Sequence, residues 1–436
     1  AMPSARRFID YRTAVLLVVA NMIGTGVFTT LGLQAAAVPD GAALLLLWAL
    51  GALVALCGAL SYAELAAALP RSGGEYHFLS RIYHPLLGGL AGLVSVTVGF
   101  AAPVALAAMA LGRYAATFVP ADPLWIALGA VLLVTALHAV EVELGRVFQV
   151  LATLVKVAVI LGFSLAALTH APVPGSLSPL PSADTLDWVL SAPFGLALIY
   201  VSYAYAGWNA AVYVVDEVQK PAVTVPRALT HGALAVAAMY LLLNLSFLRT
   251  VGLEELAGTV EVGAVSARNV FGEAGGALLS LVLSLLLVST ISAMVLAGPR
   301  VLRTMGEDIR LLRAFRVCNR RGAPTRAVLL QQGIAVLFIL TDSFEGVLTF
   351  AGFTLTLFSW LTVAGVFLLR RRQPGLARPF RIPLYPLPPL LFLVANALAL
   401  AAVFRERPLT VLVALLVLAL AGALIRNRVG NRESGE

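Results

Sequence analysis

The chain has 436 residues, of which 60% are hydrophobic and 12% are charged, and its formal net charge is +8. Soluble domains carry about 25% charged residues, so this composition excludes an ordinary soluble protein and indicates an integral membrane protein. The positive charge does not indicate a nucleic-acid partner, because the arginines lie beside apolar segments, where membrane topology explains them.

A helix that crosses the hydrocarbon core needs about 20 apolar residues. By this measure the sequence predicts an all-α membrane protein with twelve transmembrane spans. The predicted spans cover residues 13–34, 41–69, 86–118, 124–140, 147–168, 188–215, 229–250, 275–302, 326–341, 344–369, 385–404 and 408–425.

The first span is interrupted near its centre by Gly24 and Gly26, which flank Thr25 in the run from Ile23 to Phe28. An unpaired amide or carbonyl in hydrocarbon is costly, so such a break persists only where it lines a cavity or holds a ligand. A half-helix that begins near Gly26 offers N–H groups to a carboxylate, and one that ends near Ile23 offers carbonyls to an ammonium group. This pattern is typical of a transporter with a zwitterionic substrate.

The sixth span contains a second irregularity, which runs from Tyr203 to Asn209 and includes Gly207. Spans one and six would each open a five-span unit, and two such units have opposite orientations in the membrane because five is odd. Paired interruptions in two inverted halves indicate a central site with alternating access. The alternative is that these small residues form a packing face between membrane helices.

Positive charge predicts the orientation of the spans. Most of the 30 lysine and arginine residues fall in alternate loops, which we place in the cytoplasm together with both termini. The outer segments keep only Arg113, Arg249, Arg268, Arg405 and Arg407. The expected location is therefore the cytoplasmic (inner) membrane, with multiple passes through membrane lipid.

Several motifs occur in order along nearly the whole chain. They are Ile23–Phe28, Tyr62–Leu65, Pro70–Tyr76, Tyr205–Asn209, Glu217–Pro221, Pro226–Ala228, Arg378–Arg381 and Pro383–Pro386. On these motifs the chain resembles the amino acid–polyamine–organocation superfamily, and its L-type amino-acid transporter branch in particular. The resemblance implies the LeuT-type fold, in which spans one and six are broken.

The implied domain organisation is a single transporter domain over residues 1–436. It contains two inverted five-span repeats, 13–168 and 188–369, followed by two peripheral spans over 385–425.

The resemblance also implies a substrate site made mainly of peptide groups. The substrate carboxylate would bind the amides around Gly24, Thr25 and Gly26, and its ammonium group the carbonyls of Ile23, Tyr203 and Ala206. The Tyr203 ring matches the position that closes over the substrate in the family, although an ordinary packed aromatic is the alternative.

The residues around Gly207 bear on substrate class. Asn209 either hydrogen-bonds a polar substrate side chain or holds the local helix. The acids nearest along the chain, Asp216 and Glu217, lie one to two turns further on. A buried cation without a partner is costly, so we expect neutral L-amino acids rather than arginine or polyamines.

Lys156 lies inside the fifth span, where a charged lysine costs about 2.5–3.5 kcal/mol at the bilayer centre. The resemblance aligns it with a lysine that fills the sodium site of sodium-coupled relatives. Its ammonium group would reach carbonyls of the first break and a hydroxyl of Ser289 or Ser292. Two mechanisms are open: a permanently charged Lys156 would allow sodium-independent exchange, and a titrating Lys156 would couple transport to protons. The alternative is a lysine that only packs between helices and has no coupling role.

Six charged residues cluster at cytoplasmic helix ends. They form either an inner gate or solvated end charges of little energetic value, and we favour the second interpretation for most of them. These residues are Glu64, Arg71, Glu75, Asp216, Glu217 and Arg227.

No cofactor or metal is expected, because the sequence has no Walker-type phosphate loop and its five histidines lack metal-ligand spacing. In animals, heteromeric members of the branch bind a heavy subunit through a cysteine in the loop that corresponds to residues 119–123. That loop has no cysteine here, so we expect no disulfide-linked heavy subunit.

The leading hypothesis is a sodium-independent secondary transporter of neutral L-amino acids that works as an obligate exchanger. Proton symport through Lys156 is the alternative mode of transport. We do not expect an enzyme, since no intramembrane cluster of histidine and glutamate is evident. A sensor that binds amino acids without transport is a third possibility.

Overall fold

The structure is a computed structural model that describes residues 9–140, 145–308, 310–319 and 324–429. The chain ends predicted to be cytoplasmic, residues 1–8 and 430–436, lie outside the described residues. Over the described ranges the protein is helical, and its only extended pairs are two isolated β-bridges.

The helices are numbered here as they occur along the chain. A π-helix over Ser95–Ala101 joins α5 to α6, and 3₁₀ segments cover Ala210–Glu217 and Arg310–Phe315. The α-helices are α1 (Tyr11–Met22), α2 (Gly26–Ala37), α3 (Gly41–Ala68), α4 (Glu75–Ile82), α5 (Pro85–Val94), α6 (Ala102–Ala116), α7 (Pro123–Val140), α8 (Gly145–Leu168), α9 (Thr185–Val189), α10 (Ala192–Tyr205), α11 (Pro221–Thr250), α12 (Leu253–Leu256), α13 (Val262–Asp308), α14 (Thr325–Ile339), α15 (Phe344–Arg372), α16 (Leu387–Glu406) and α17 (Pro408–Val429).

Eight helical segments of the described chain are long and apolar enough to cross a membrane. The protein is therefore a helical, multi-pass membrane protein, while the count of twelve spans stays a prediction. The eight segments are Tyr11–Ala37, Gly41–Ala68, Pro85–Ala116, Val150–Leu168, Pro221–Thr250, Val262–Arg303, Phe344–Arg372 and Leu387–Glu406, and shorter apolar helices cover Pro123–Ala139, Thr325–Ile339 and Pro408–Ala423.

The first predicted span consists of two helices separated by Ile23–Thr25, which we call the first break. The chain leaves the helical conformation at Ile23, whose ψ is 80°. Within the break the Gly24 amide turns back to the Met22 carbonyl at 2.8 Å. The glycines thus interrupt the helix where the sequence predicted.

The sixth predicted span is also irregular. Helix α10 ends at Tyr205, and Ala206–Asn209, which we call the second break, precede the 3₁₀ segment. Gly207 has a φ of +100°, a conformation that side chains with a Cβ rarely adopt. The chain therefore changes direction here and does not continue the helix.

Contacts among several helices bring the two breaks together. Helix α2 packs on α10, and α1 packs on α11 and α8. Near the start of α1, the Ile9 amide donates to the Glu217 carbonyl at 3.0 Å, and the Gln219 amide donates to the Ile9 carbonyl at 2.9 Å. This bridge ties the chain before α1 to the chain that follows the second break.

Candidate functional site at the two helix breaks

The helical segments that contain the two breaks pack closely through their main chains, at residues in or next to each break. A Cβ atom on Gly26 would lie 2.4 Å from the Ala204 Cα atom, and one on Gly207 would lie 2.6 Å from the Asn21 carbonyl oxygen. Real Cβ atoms do not approach backbone this closely. Both glycines are therefore required for the breaks to meet.

The N-terminus of α2 provides the groups that suit an anion. The first amides of a helix have no carbonyl partner within it, and they carry the positive end of the helix dipole. In α2 these are the amides of Gly26 and Val27. The carbonyls of Thr25 and Gly26 accept hydrogen bonds from the Thr29 hydroxyl at 2.9 Å and the Thr30 hydroxyl at 2.8 Å.

Tyr203 lies over the first break. Its hydroxyl is beside the side chain of Thr25, and the two residues are 8% and 3% exposed. At the end of α10, the Tyr203 carbonyl accepts a hydrogen bond of 2.9 Å from the Ala206 amide. The structure thus places Thr25 and Tyr203 together in a buried region, while Gly24, Ala206, Gly207 and Asn209 are half-buried.

Lys156 joins the first break to two other helices. From α8 its Nζ atom donates to the Ile23 carbonyl at 3.1 Å and to the Thr290 hydroxyl of α13 at 2.8 Å. The side chain is 5% exposed. A carbonyl at a helix end and a hydroxyl are suitable partners for a buried ammonium group.

The hydroxyl seen to accept from Lys156 is that of Thr290, which lies between the two serines named from the sequence. Ser292 instead bonds through its hydroxyl with His138 Nε2 at 2.8 Å, and Ser289 is buried next to Thr290 in α13. The three hydroxyls occupy neighbouring positions on one helix, so the rotation of α13 decides which of them meets Lys156.

Tyr240 is a residue of this region that the sequence did not single out. It is fully buried in α11, and its hydroxyl donates to the Met22 carbonyl at 2.5 Å. The Gly24 amide lies beside the same hydroxyl. A phenol thus holds the end of α1, but an isolated tyrosine in an apolar helix gives no sequence signal for this contact.

Glu75 lies beneath the second break and is 6% exposed. Its Oε1 atom accepts hydrogen bonds from the Tyr62 hydroxyl and from Asn209 Nδ2, both at 2.8 Å, and its Oε2 atom accepts one from the Tyr213 hydroxyl. The interpretation as a solvated end charge is wrong for this residue. Asn209 connects the second break to this carboxylate.

Glu64 is the second acid for which that interpretation is wrong, because it is 2% exposed. Its carboxylate binds Arg370 of α15 through two hydrogen bonds of 2.8 and 2.6 Å. It also accepts a bond of 2.8 Å from the Ile382 amide, and Arg378 lies 3.6 Å away. The pair joins α3 to α15 and to the loop before α16.

The remaining candidates for metal or disulfide chemistry lie elsewhere. Among the described residues, no group of three or more histidine, cysteine or acidic side chains could hold a metal ion. Cys57 is buried in α3, and Cys318 is partly exposed after the last 3₁₀ segment.

Substitution of Gly26 by alanine should separate the two breaks. We expect a loss of stability of about 1–3 kcal/mol, the usual cost of forcing extra volume into a packed core, and at least a tenfold loss of transport. Thermal unfolding of the purified variant and uptake into proteoliposomes measure the two effects.

Gly162→Ala provides the matched control, since no atom lies within 4 Å of the added Cβ in α8. Alanine favours a helix over glycine by about 0.5–1 kcal/mol, so this variant should be neutral or slightly more stable. Equal behaviour of the two variants would contradict the close contact assigned to Gly26.

Comparison with known proteins gives a consistent match along the chain. The family model described as "Amino acid permease" matches residues 9–424. The serine/threonine exchanger SteT of Bacillus subtilis is 27% identical over 403 residues, which cover 89% of each chain. The b(0,+)-type amino acid transporter 1 of Mus musculus is 24% identical, with 92% of this chain and 84% of that protein covered. The human cystine/glutamate transporter is 26% identical, with 90% and 80% covered.

Proposed function

Since this chain belongs to the amino acid permease family of the amino acid–polyamine–organocation superfamily, we propose that it exchanges neutral L-amino acids across the cytoplasmic membrane without sodium. Membership of the family makes it an amino acid transporter and not an enzyme. To this family function the proposal adds neutral L-amino acids as the substrate class, exchange as the mode of transport, and the cytoplasmic membrane as the location.

The proposed architecture is the twelve-span LeuT-type fold, with inverted repeats over 13–168 and 188–369 and peripheral spans over 385–425. Two helix breaks that meet in a buried region, one early in each proposed repeat, support it. Alternating access would then come from movement of one repeat against the other around the breaks. The positive charge of the predicted inner loops supports cytoplasmic termini.

The proposed substrate site uses main-chain groups of both breaks. The amides of Thr25 and Gly26, and that of Gly24 once it releases the Met22 carbonyl, would bind the carboxylate, because the start of α2 concentrates N–H groups and positive dipole. The carbonyls of Tyr203 and Ala206, with Gly207 allowing their close approach, would bind the ammonium group. The close packing of Gly26 on Ala204 and of Gly207 on Asn21 supports this assignment.

Neutral substrates remain the proposed class even though an acid lies close to the second break. The sequence pointed to Asp216 and Glu217 as the nearest acids, whereas Glu75 contacts Asn209 in the fold. Both oxygens of Glu75 already accept hydrogen bonds from neutral donors. A substrate guanidinium or ammonium group would have to displace them, which opposes arginine and lysine.

Coupling is assigned to Lys156, with Thr290 as its observed hydroxyl partner and Ser289 and Ser292 as its proposed neighbours. A charged Lys156 on the Ile23 carbonyl stands where a cation would otherwise be needed, which supports sodium-independent exchange. Proton symport is the alternative if Lys156 releases its proton during the cycle. The loop 119–123 has no cysteine, so we propose transport without a disulfide-linked heavy subunit.

Proteoliposomes preloaded with labelled amino acid test the proposal. We expect external neutral L-amino acid to accelerate release of the label at least tenfold in sodium-free buffer, because an obligate exchanger returns only when loaded. External arginine should not accelerate it. Release that is independent of external amino acid contradicts exchange, and uptake into empty vesicles driven by an inward proton gradient would establish symport instead.

A further inference from the structure

Glu75 is a buried carboxylate whose two oxygens accept hydrogen bonds from uncharged donors. The residue begins α4, yet the groups that hold its carboxylate come from three other segments: Tyr62 from α3, Asn209 from the second break, and Tyr213 from the 3₁₀ segment. Nearby, the Ser72 amide donates to the Asp216 carboxylate at 3.1 Å, and the Asp216 amide donates to the Ser72 hydroxyl at 3.1 Å. The Glu75 carboxylate is therefore fixed in position beside the second break.

A fixed carboxylate determines which way the Asn209 amide is turned. An ionised carboxylate only accepts hydrogen bonds, whereas a side-chain amide has a donor end and an acceptor end. Asn209 must present its nitrogen to Glu75, as the bond of 2.8 Å from Nδ2 to Oε1 shows. Its carbonyl oxygen, Oδ1, then lies on the side of the amide away from Glu75.

We propose that Glu75 is a positioning residue of the substrate site, which holds Asn209 so that Oδ1 accepts a hydrogen bond from the substrate side chain. This inference rests on the proposed function and narrows its substrate class. It assigns the site to small L-amino acids whose side chain donates a hydrogen bond, serine and threonine, over alanine and valine.

Threonine and valine provide the sharpest comparison, because they have the same shape and differ by one hydroxyl group. A neutral hydrogen bond contributes about 0.5–1.5 kcal/mol, which corresponds to about a two- to twelvefold difference in affinity. We expect the wild-type protein to prefer threonine to valine within this range, measured as competition with labelled substrate uptake into proteoliposomes.

Glu75→Gln tests the positioning role. Glutamine has nearly the shape of glutamate but can donate as well as accept, so the Asn209 amide is free to turn over. The threonine preference should then fall to less than twofold, while valine still competes. In the Asn209→Ala background, where no amide remains to be oriented, Glu75→Gln should leave the ratio unchanged. Additive effects of the two changes would overturn the proposal.

Glu64→Gln is the matched control, since Glu64 is also a buried glutamate but contacts Arg370 and not Asn209. It should keep the wild-type ratio even if it lowers stability. Glu75→Asp keeps an acceptor-only group but withdraws it by one methylene, so its threonine preference should lie between those of the wild type and Asn209→Ala. This comparison tests the role if Glu75→Gln does not fold. A ratio in Glu75→Asp as low as in Asn209→Ala would contradict the inference.

The outcomes separate this inference from the proposed function. If the wild-type protein transports neutral amino acids but Glu75→Gln keeps the threonine preference, the positioning role is wrong and the transport proposal stands. If the wild-type protein transports no amino acid, the proposed function fails first.

Discussion

Replacement of Lys156 by methionine is expected to reduce amino-acid exchange by about tenfold to 100-fold. The ammonium group makes a charge-assisted hydrogen bond to the Ile23 carbonyl, and such bonds contribute about 1.5–3 kcal/mol. Each 1.4 kcal/mol changes a rate about tenfold. Initial rates of labelled exchange in proteoliposomes, at equal amounts of inserted protein, measure the effect.

The reason for so large an effect is the position of Lys156. It is the link between α8, the first break and Thr290 of α13. Methionine fills a similar volume, so the variant removes charge and hydrogen bonds with little change in packing. The Ile23 carbonyl would then lose its donor in a place where water cannot replace it.

Two further variants identify what Lys156 contributes. Lys156→Arg keeps a charge and should retain part of the activity, although the larger planar group fits the site less well. Thr290→Val removes only the hydroxyl and should reduce exchange by less than Lys156→Met. Wild-type exchange rates in Lys156→Met would remove this lysine from the transport mechanism.

The second large effect expected is on stability. Glu64→Ala should lower the free energy of unfolding by about 3 kcal/mol, because removal of one partner of a buried ion pair leaves an uncompensated charge. Two arginines are left behind: Arg370, whose side chain is 25% exposed and regains some hydration, and Arg378, which is 8% exposed but keeps its hydrogen bonds to the Leu376 and Gln373 carbonyls. We therefore expect a loss at the lower end of the usual range, which is about 3–5 kcal/mol.

An exposed ion pair made by another residue of α15 provides the control. Glu345 of α15 binds Arg407 at 2.5 Å, but these side chains are 39% and 48% exposed. Exposed pairs contribute about 0–1 kcal/mol, so Arg407→Ala, which keeps the hydrogen bond from the buried Tyr200 hydroxyl to Glu345, should have a small effect. Thermal unfolding of both variants in one detergent makes the comparison, and equal losses would show that burial of Glu64 has no energetic consequence.

The features that the sequence determines for this protein are local ones. Apolar segments of membrane-spanning length follow from composition within a window of residues. The first break follows from two glycines around Thr25, and the depth of Lys156 follows from its place within an apolar run. Each depends on neighbours along the chain, so each could be read before any contact was known.

Tertiary structure decided which side chains meet. Glu75 and Asn209 are 134 residues apart along the chain, and Glu64 and Arg370 are 306 apart. Their burial, which reversed the interpretation of both acids as solvated, depends on how α3, α4 and α15 pack. Nothing in the local sequence distinguishes a glutamate whose side chain is exposed to water from one whose side chain is buried between helices.

The hydroxyl partner of Lys156 is a second contact that the local sequence does not determine. Three hydroxyl residues lie within four positions of α13, and the sequence named two of them, Ser289 and Ser292. Successive side chains on a helix point about 100° apart, so the identity of the partner depends on the rotation of α13 about its axis. Packing against α8 and α6 sets that rotation, and it brings Thr290 to the ammonium group.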